Sequence, residues 1–148
     1  MPQVTAAVER QIPAPADRVR ALVEDYAEAR PKILPAQFSD YRLLEGGTGD
    51  GTTAAWKLQA TKKRVRDVKA VVSKPEPATL VETDQNSSMA TTWTVTTSDG
   101  GSVVRVQTTW QGATGIGGFF ERTFAPGGLR RIYDDMLANL EQLATGQR

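Results

Sequence analysis

The chain has 148 residues, 24% charged and 39% apolar, an ordinary balance for a protein long enough to bury a real core. Lysine plus arginine number 18 and aspartate plus glutamate 17, so the net charge of +1 gives no general pull toward nucleic acid or an anionic membrane. Cysteine and histidine are both absent, which excludes disulfides, thiolate nucleophiles, Ser-His-Asp triads and metal sites built on Cys or His.

The opening "MPQVTAAVERQ" has no basic segment followed by an apolar run, and no apolar stretch approaches the ~20 residues that span a bilayer. The expectation is a soluble, cytoplasmic protein without stable membrane insertion. In "VTAAVERQI", Val4, Ala6, Val8 and Ile12 alternate along one face, interrupted by Arg10, and read as a half-buried strand. Pro13 and Pro15 stop it, and Pro15 suits the first turn of a helix. Val19, Leu22, Val23 and Tyr26 then recur at helical spacing. "ARPKILPAQF" is cut by Pro31 and Pro35, so a second helix there must be short.

After Tyr41 the texture changes. "DYRLLE" is a short strand, followed by "EGGTGDGTT". Gly46 and Gly51 have the spacing of a G-x-x-x-x-G phosphate loop, but Thr52 stands where such a loop needs lysine. No helix follows; in "TAAWKLQA" Ala54, Trp56, Leu58 and Ala60 share one strand face. The loop therefore reads as a turn between strands, not a nucleotide site. "RVRDVKAVV" and "ATLVETD" continue the strands, and in "MATTWTVTT" Met89, Thr91, Trp93 and Val95 alternate with smaller residues. "SDGG" is a hairpin signal, after which Val104, Val106, Thr108 and Trp110 share a face. Turn-sized connections make these an antiparallel meander.

From Thr114 the period becomes helical. Ile116, Phe119, Phe120 and Phe124 give one face, which Pro126 should kink or divide. Leu129, Ile132, Tyr133, Met136, Leu137, Leu140 and Leu143 form a long amphipathic stripe, with Gly146 placed to end it. The order is strand, two short helices, about six strands, one long helix. No repeat or linker divides it, so residues 1–148 are expected to form one α+β domain: a curved antiparallel sheet of about seven strands with the long helix across its open face.

That order resembles the helix-grip fold of the START and birch-pollen-allergen superfamily, SRPBCC, and within it actinobacterial polyketide cyclase/dehydrase-like members. "VERQIPAPADRVRALVEDY" resembles their opening strand and helix, with Ile12, Ala14, Pro15 and Val19 in the places of an I-x-A-P-x-x-x-V pattern. "GGTGDGTTAAWKL" is similar to their glycine-rich loop and following strand, and "FFERTFAPGGLRRIYDDMLANLEQLA" to their gripping helix. The resemblance implies a cavity between sheet and helix. Trp56, Leu58, Met89, Trp93, Val106 and Trp110 would line it from the sheet, and Phe120, Phe124, Tyr133 and Leu137 would close it. Each tryptophan has an alternative role as plain core filling.

Three functions stay open. One is binding or transport of a hydrophobic small molecule, a lipid or polyketide-like aromatic, with no cofactor and no nucleic-acid partner, by a monomer or weak homodimer. The second is a cyclase/dehydrase-type enzyme working without His or metal. The third is a toxin–antitoxin or protein-interaction module. Asp25, Glu28, Asp67, Glu82, Asp84 and Glu121 form no recognisable pair and are read as surface charges. Lys62, Lys63, Arg64, Arg66 and Lys69 read as a solvated hairpin without aromatic stacking partners. Arg122, Arg130 and Arg131 read as the wet side of the helix. "GIGGFF" departs from G-x-G-x-x-G at Phe120 and reads as the entry to the long helix.

Overall fold

The computed structural model describes residues 3–61, 64–111 and 126–146. The described elements run β1 (Gln3–Ile12), α1 (Ala16–Glu24), α2 (Ala29–Ile33), β2 (Phe38–Glu45), β3 (Thr53–Thr61), β4 (Arg64–Glu76), β5 (Thr79–Asp84), β6 (Ala90–Ser98), β7 (Gly101–Gln111) and α3 (Pro126–Thr145). The seven strands form one curved antiparallel sheet in the order β1-β7-β6-β5-β4-β3-β2. Only the β1–β7 pairing joins strands distant in sequence; the other neighbours follow one another along the chain.

Alternation sets the inward face. Ala54, Trp56 and Leu58 of β3, Val68, Ala70 and Val72 of β4, and Val104, Val106 and Trp110 of β7 are buried. From the other side α3 presents Leu129, Ile132, Tyr133, Met136, Leu137, Leu140 and Ala144, the face expected from its period with Ala144 added and Leu143 only half-buried. The described part of the helix begins at Pro126. The division expected at Pro126, and the face from Ile116 to Phe124, lie outside the described residues. Gly146 follows the helix at φ 76°, as its place in the sequence suggested.

Polar contacts fix how the helix lies. Arg10, which interrupts the apolar face of β1, reaches across to Glu141 of α3 at 2.7 Å. Arg18 of α1 donates to the Ala144 carbonyl at 2.5 Å and to Leu143 at 3.3 Å, satisfying carbonyls at the end of α3. Asn139 Nδ2 donates to the Ile33 carbonyl and ties α3 to α2.

One expectation needs correcting. Tyr26 has helical spacing from Val19 and Val23, but α1 stops at Glu24. Asp25 turns to extended backbone, and its Oδ1 accepts the N–H groups of Ala27 and Glu28. That local bonding competes with the helix, and the fully buried Tyr26 sits in the turn that follows. The second helix is short as expected, five residues ending before Pro35. Arg130 and Arg131 are exposed, as expected for the wet side of α3. Among the described residues no helix is long and apolar enough to cross a membrane.

Candidate functional site

The glycine loop is wired into the protein. The amide of Gly49 donates to Glu24 O at 2.9 Å, that of Gly51 to Val72 O at 3.0 Å, and that of Thr52 to Gly49 O at 3.2 Å. Gly47 N–H donates to Thr52 Oγ1 at 3.3 Å. A phosphate cradle needs free amides converging on one point, and these amides already have acceptors within the chain. Positive φ at Gly46 (70°) and Gly51 (87°) lets the chain turn from β2 into β3.

The polar chemistry lies inside the sheet. Leu80, Glu82 and Asp84 of β5 all point inward and are buried. Glu82 forms an ion pair with Arg30 of α2, whose side chain is 2% exposed against 6% for Glu82. The Tyr26 hydroxyl donates to the same carboxylate oxygen at 2.5 Å. Arg30 also donates through Nη2 to Val23 O at 3.1 Å, and its guanidinium packs over two rings, 4.3 Å from the Tyr26 centroid and 4.8 Å from that of Trp93. Burial alone would lower the pKa of Arg30, but the Glu82 carboxylate and Tyr26 reverse that and hold it above its usual value. Burial pushes the Tyr26 hydroxyl well above its ordinary range, so it stays a donor. Asp84 is spent on its neighbours, accepting the N–H of Lys69 on β4 and, in the turn that follows, Asn86 N–H and the Ser87 hydroxyl. Glu82 and Asp84 are therefore not the surface charges expected; both share the inward parity of Leu80 on β5.

A second buried polar chain stands beside the first. Tyr133 of α3 shares a hydrogen bond with Thr108 of β7, and Thr108 with Thr91 of β6 at 2.7 Å. Burial lifts the Tyr133 hydroxyl to a pKa of about 12. Tyr41 of β2 stacks on Trp56 (6.1 Å, 16°) and donates to Tyr26 O at 2.6 Å, and burial likewise lifts it to about 12.

These groups surround one cavity between sheet and helices, lined by Arg30, Leu34, Phe38, Trp56, Leu58, Glu82, Met89, Thr91, Trp93, Tyr133 and Met136. It offers about 20 Å³ to the centre of a water molecule, roughly one water. The described residues around this cavity leave less than the few hundred Å³ that a ligand of lipid or polyketide size needs. Phe38, Met89, Trp93 and Met136 are among the side chains that bound it.

Of the residues proposed from sequence, Trp56, Leu58, Met89, Trp93 and Tyr133 come together around this cavity. Val106, Trp110 and Leu137 are fully buried but stand away from its lining. Val106 lies beside Trp93 in the β6–β7 register, and Trp110 beside Val4 of β1, nearer the edge where α3 rests directly on the sheet. Phe120 and Phe124 lie outside the described residues. Sequence reasoning missed Arg30 and Glu82. The parity of Glu82 with Leu80 was a usable signal for the second; no pattern in "EARPKIL" marks the first.

Comparison with known proteins agrees with this geometry. The family model described as polyketide cyclase / dehydrase and lipid transport matches residues 3–145. No curated protein gives a significant match. Among solved structures, KanY protein (ms6282), determined by NMR, is 52% identical with TM-score 0.89, covering 99% of this chain and 100% of that one. Ginseng major latex-like protein 151 from Panax ginseng shares the fold at 13% identity and TM-score 0.73, covering 96% and 97%. The di-domain ARO/CYC BexL of the BE-7585A biosynthetic pathway does so at 17% and 0.71, with this chain spanning 99% of itself and 51% of that protein.

Proposed function

The chain belongs to the polyketide cyclase/dehydrase and lipid transport family, and from that premise we propose that it binds a hydrophobic small molecule, a lipid or polyketide-like aromatic, between the sheet and α3. The observation that carries this reading is the cavity itself: apolar and aromatic walls with a few buried polar groups converging on it. The cavity has to widen to admit such a ligand. Met89 and Met136 in its wall are suited to that, because unbranched thioethers repack at low cost. Native mass spectrometry of the purified protein, followed by quenching of tryptophan fluorescence with fatty acids and polycyclic aromatics, tests it. Saturable one-to-one binding is expected; failure of every apolar ligand to bind or quench refutes it.

A second reading, a cyclase or dehydrase activity, is favoured by one observation. Tyr133, kept protonated, and the Arg30–Glu82 pair both line the cavity. A neutral phenol there can donate a hydrogen bond to a substrate ketone oxygen as negative charge develops on it. The expected result is that Tyr133→Phe keeps ligand affinity while turnover of a polyketone falls by about 10²-fold; equal turnover in the variant ends this reading.

A further inference from the structure

Trp93 forms part of two spaces at once. On one side it lines the cavity beneath α3. On the other it lines a smaller space under α1, together with Arg20 and Glu24 of that helix, Pro77 and Ala78 of the β4–β5 turn, and Val95 of β6. This outer space offers about 10 Å³ to the centre of a water molecule, at the limit of what one water needs. Its rim includes the exposed Pro77, and Trp93, 1% exposed, is its inner wall. The indole therefore stands between the surface at Pro77 and the inner cavity.

Little fixes that partition. Trp93 Nε1 is closed to solvent and reaches no hydrogen-bond partner among the described residues, although a buried indole N–H usually finds one. Turning the ring breaks no hydrogen bond; the specific contact it gives up is the Arg30 guanidinium over its face. Above it, α1 is nine residues long, has no side-chain cap at its N-terminus and buries Ala16, Val19 and Val23, all small. A helix this short stands by its packing, and an element with little buried apolar surface opens locally at low cost. Two polar contacts fasten it beside the outer space. Arg20 Nε donates to Val95 O at 3.1 Å, and Glu24 pairs with Lys74 of β4 at 2.8 Å. The Arg20 and Lys74 side chains are 30% and 32% exposed, so water can replace either contact.

We propose that the passage between α1 and the β4–β5 turn is a way into the inner cavity, closed from within by Trp93 and from without by the Arg20–Val95 and Glu24–Lys74 contacts. This rests on the ligand-binding reading above, since an entrance serves a protein that takes up a molecule. Opening requires a small lift of α1 and a turn of one indole, and leaves the sheet ladder intact.

Exchange of the indole N–H groups of the full chain in D2O, followed by NMR on 15N-labelled protein, tests this without a ligand. Trp110 is as buried as Trp93 and lines neither space, so it reports global opening. Trp93 is expected to exchange at least about tenfold faster than Trp110. Arg20→Met combined with Lys74→Met removes both outer contacts and should speed Trp93 by about a further fivefold, with Trp110 within about twofold. Ala78→Phe puts a large ring on the rim and should slow Trp93; it decides alone should the double variant lose its native circular dichroism. Trp93 unresponsive to these changes, or all indoles accelerating together, overturns the passage. Anthracene uptake by stopped-flow tryptophan quenching supplies the second readout. Association should be about fivefold slower in Ala78→Phe with Kd within about twofold. An unchanged association rate overturns the passage while the hydrophobic-ligand reading stands; failure of anthracene to bind counts against that reading, and the exchange result then decides the passage.

Discussion

Arg30 and Glu82 are each almost fully buried, and taking two charges out of water costs several kcal/mol per ion unless their partners compensate. The compensation is local: Tyr26 and Arg30 serve the carboxylate, Val23 O serves the guanidinium, and two aromatic faces pack against it. Removing one charge leaves the other stranded. Glu82→Leu should therefore lose about 3–5 kcal/mol of stability, read from urea unfolding, whereas Arg30→Met combined with Glu82→Leu should recover most of it. A double variant as unstable as the single one would show that the charges themselves hold the fold. This pair was also the least legible in the sequence. Charged residues are seldom buried, so Glu82 was read as surface despite its parity with Leu80, and Arg30 carried no signal. Trp56 and Trp93 were read correctly as inward because large aromatics in alternation with small polar residues leave little choice of face.

Strands and helices came through because their periods are strong and their ends are chemically marked. Alternation from β3 to β7 survives interruptions such as Glu82, and the α3 stripe predicts all but Ala144 of its buried side chains. The end of α1 was misplaced because one side chain, Asp25, decides it by bonding the next turn. The β6–β7 hairpin shows a similar dependence on a single position. Gly101 sits at φ 157° where β7 starts, and a Cβ there would lie 2.2 Å from the Ile12 carbonyl oxygen and 2.9 Å from Ala14 N. Both neighbours are backbone at the end of β1, so neither yields without moving the strand. Gly51, at φ 87°, has open space around its missing Cβ. Gly51→Ala should cost about 1–2 kcal/mol from the left-handed backbone alone. Gly101→Ala should cost clearly more, because it adds displacement of β1. Chemical denaturation of the two variants side by side checks the order, and equal losses would show that β1 adjusts freely.

The whole molecule closes around its tyrosines. The family resemblance implied a chamber between sheet and helix but not how little room the described residues leave in it, since volume depends on rotamers that alternation does not specify. The chain's three tyrosines are Tyr26, Tyr41 and Tyr133, and they stand on the turn after α1, on β2 and on α3, joining sheet to both helical layers. Burial raises the pKa of all three above the ordinary value of 10, Tyr41 and Tyr133 to about 12. Below pH 10 both folded and unfolded chains keep these protons, and the contribution to stability is intact. Above pH 10 the unfolded chain releases them while the folded chain does not, so unfolding is favoured progressively until the folded-state values are passed. For the buried Tyr133 alone the loss amounts to about 2 kcal/mol by pH 12. Tyrosinate absorbance near 295 nm should therefore stay flat through pH 10 and rise in one cooperative step above about pH 11, together with loss of the far-ultraviolet circular dichroism. Tyr133→Phe should move that step to higher pH, because one of the protons driving it is gone. A gradual rise centred on pH 10 in a protein that keeps its secondary structure would mean that the tyrosines are solvated and the layers between sheet and helices are open to water.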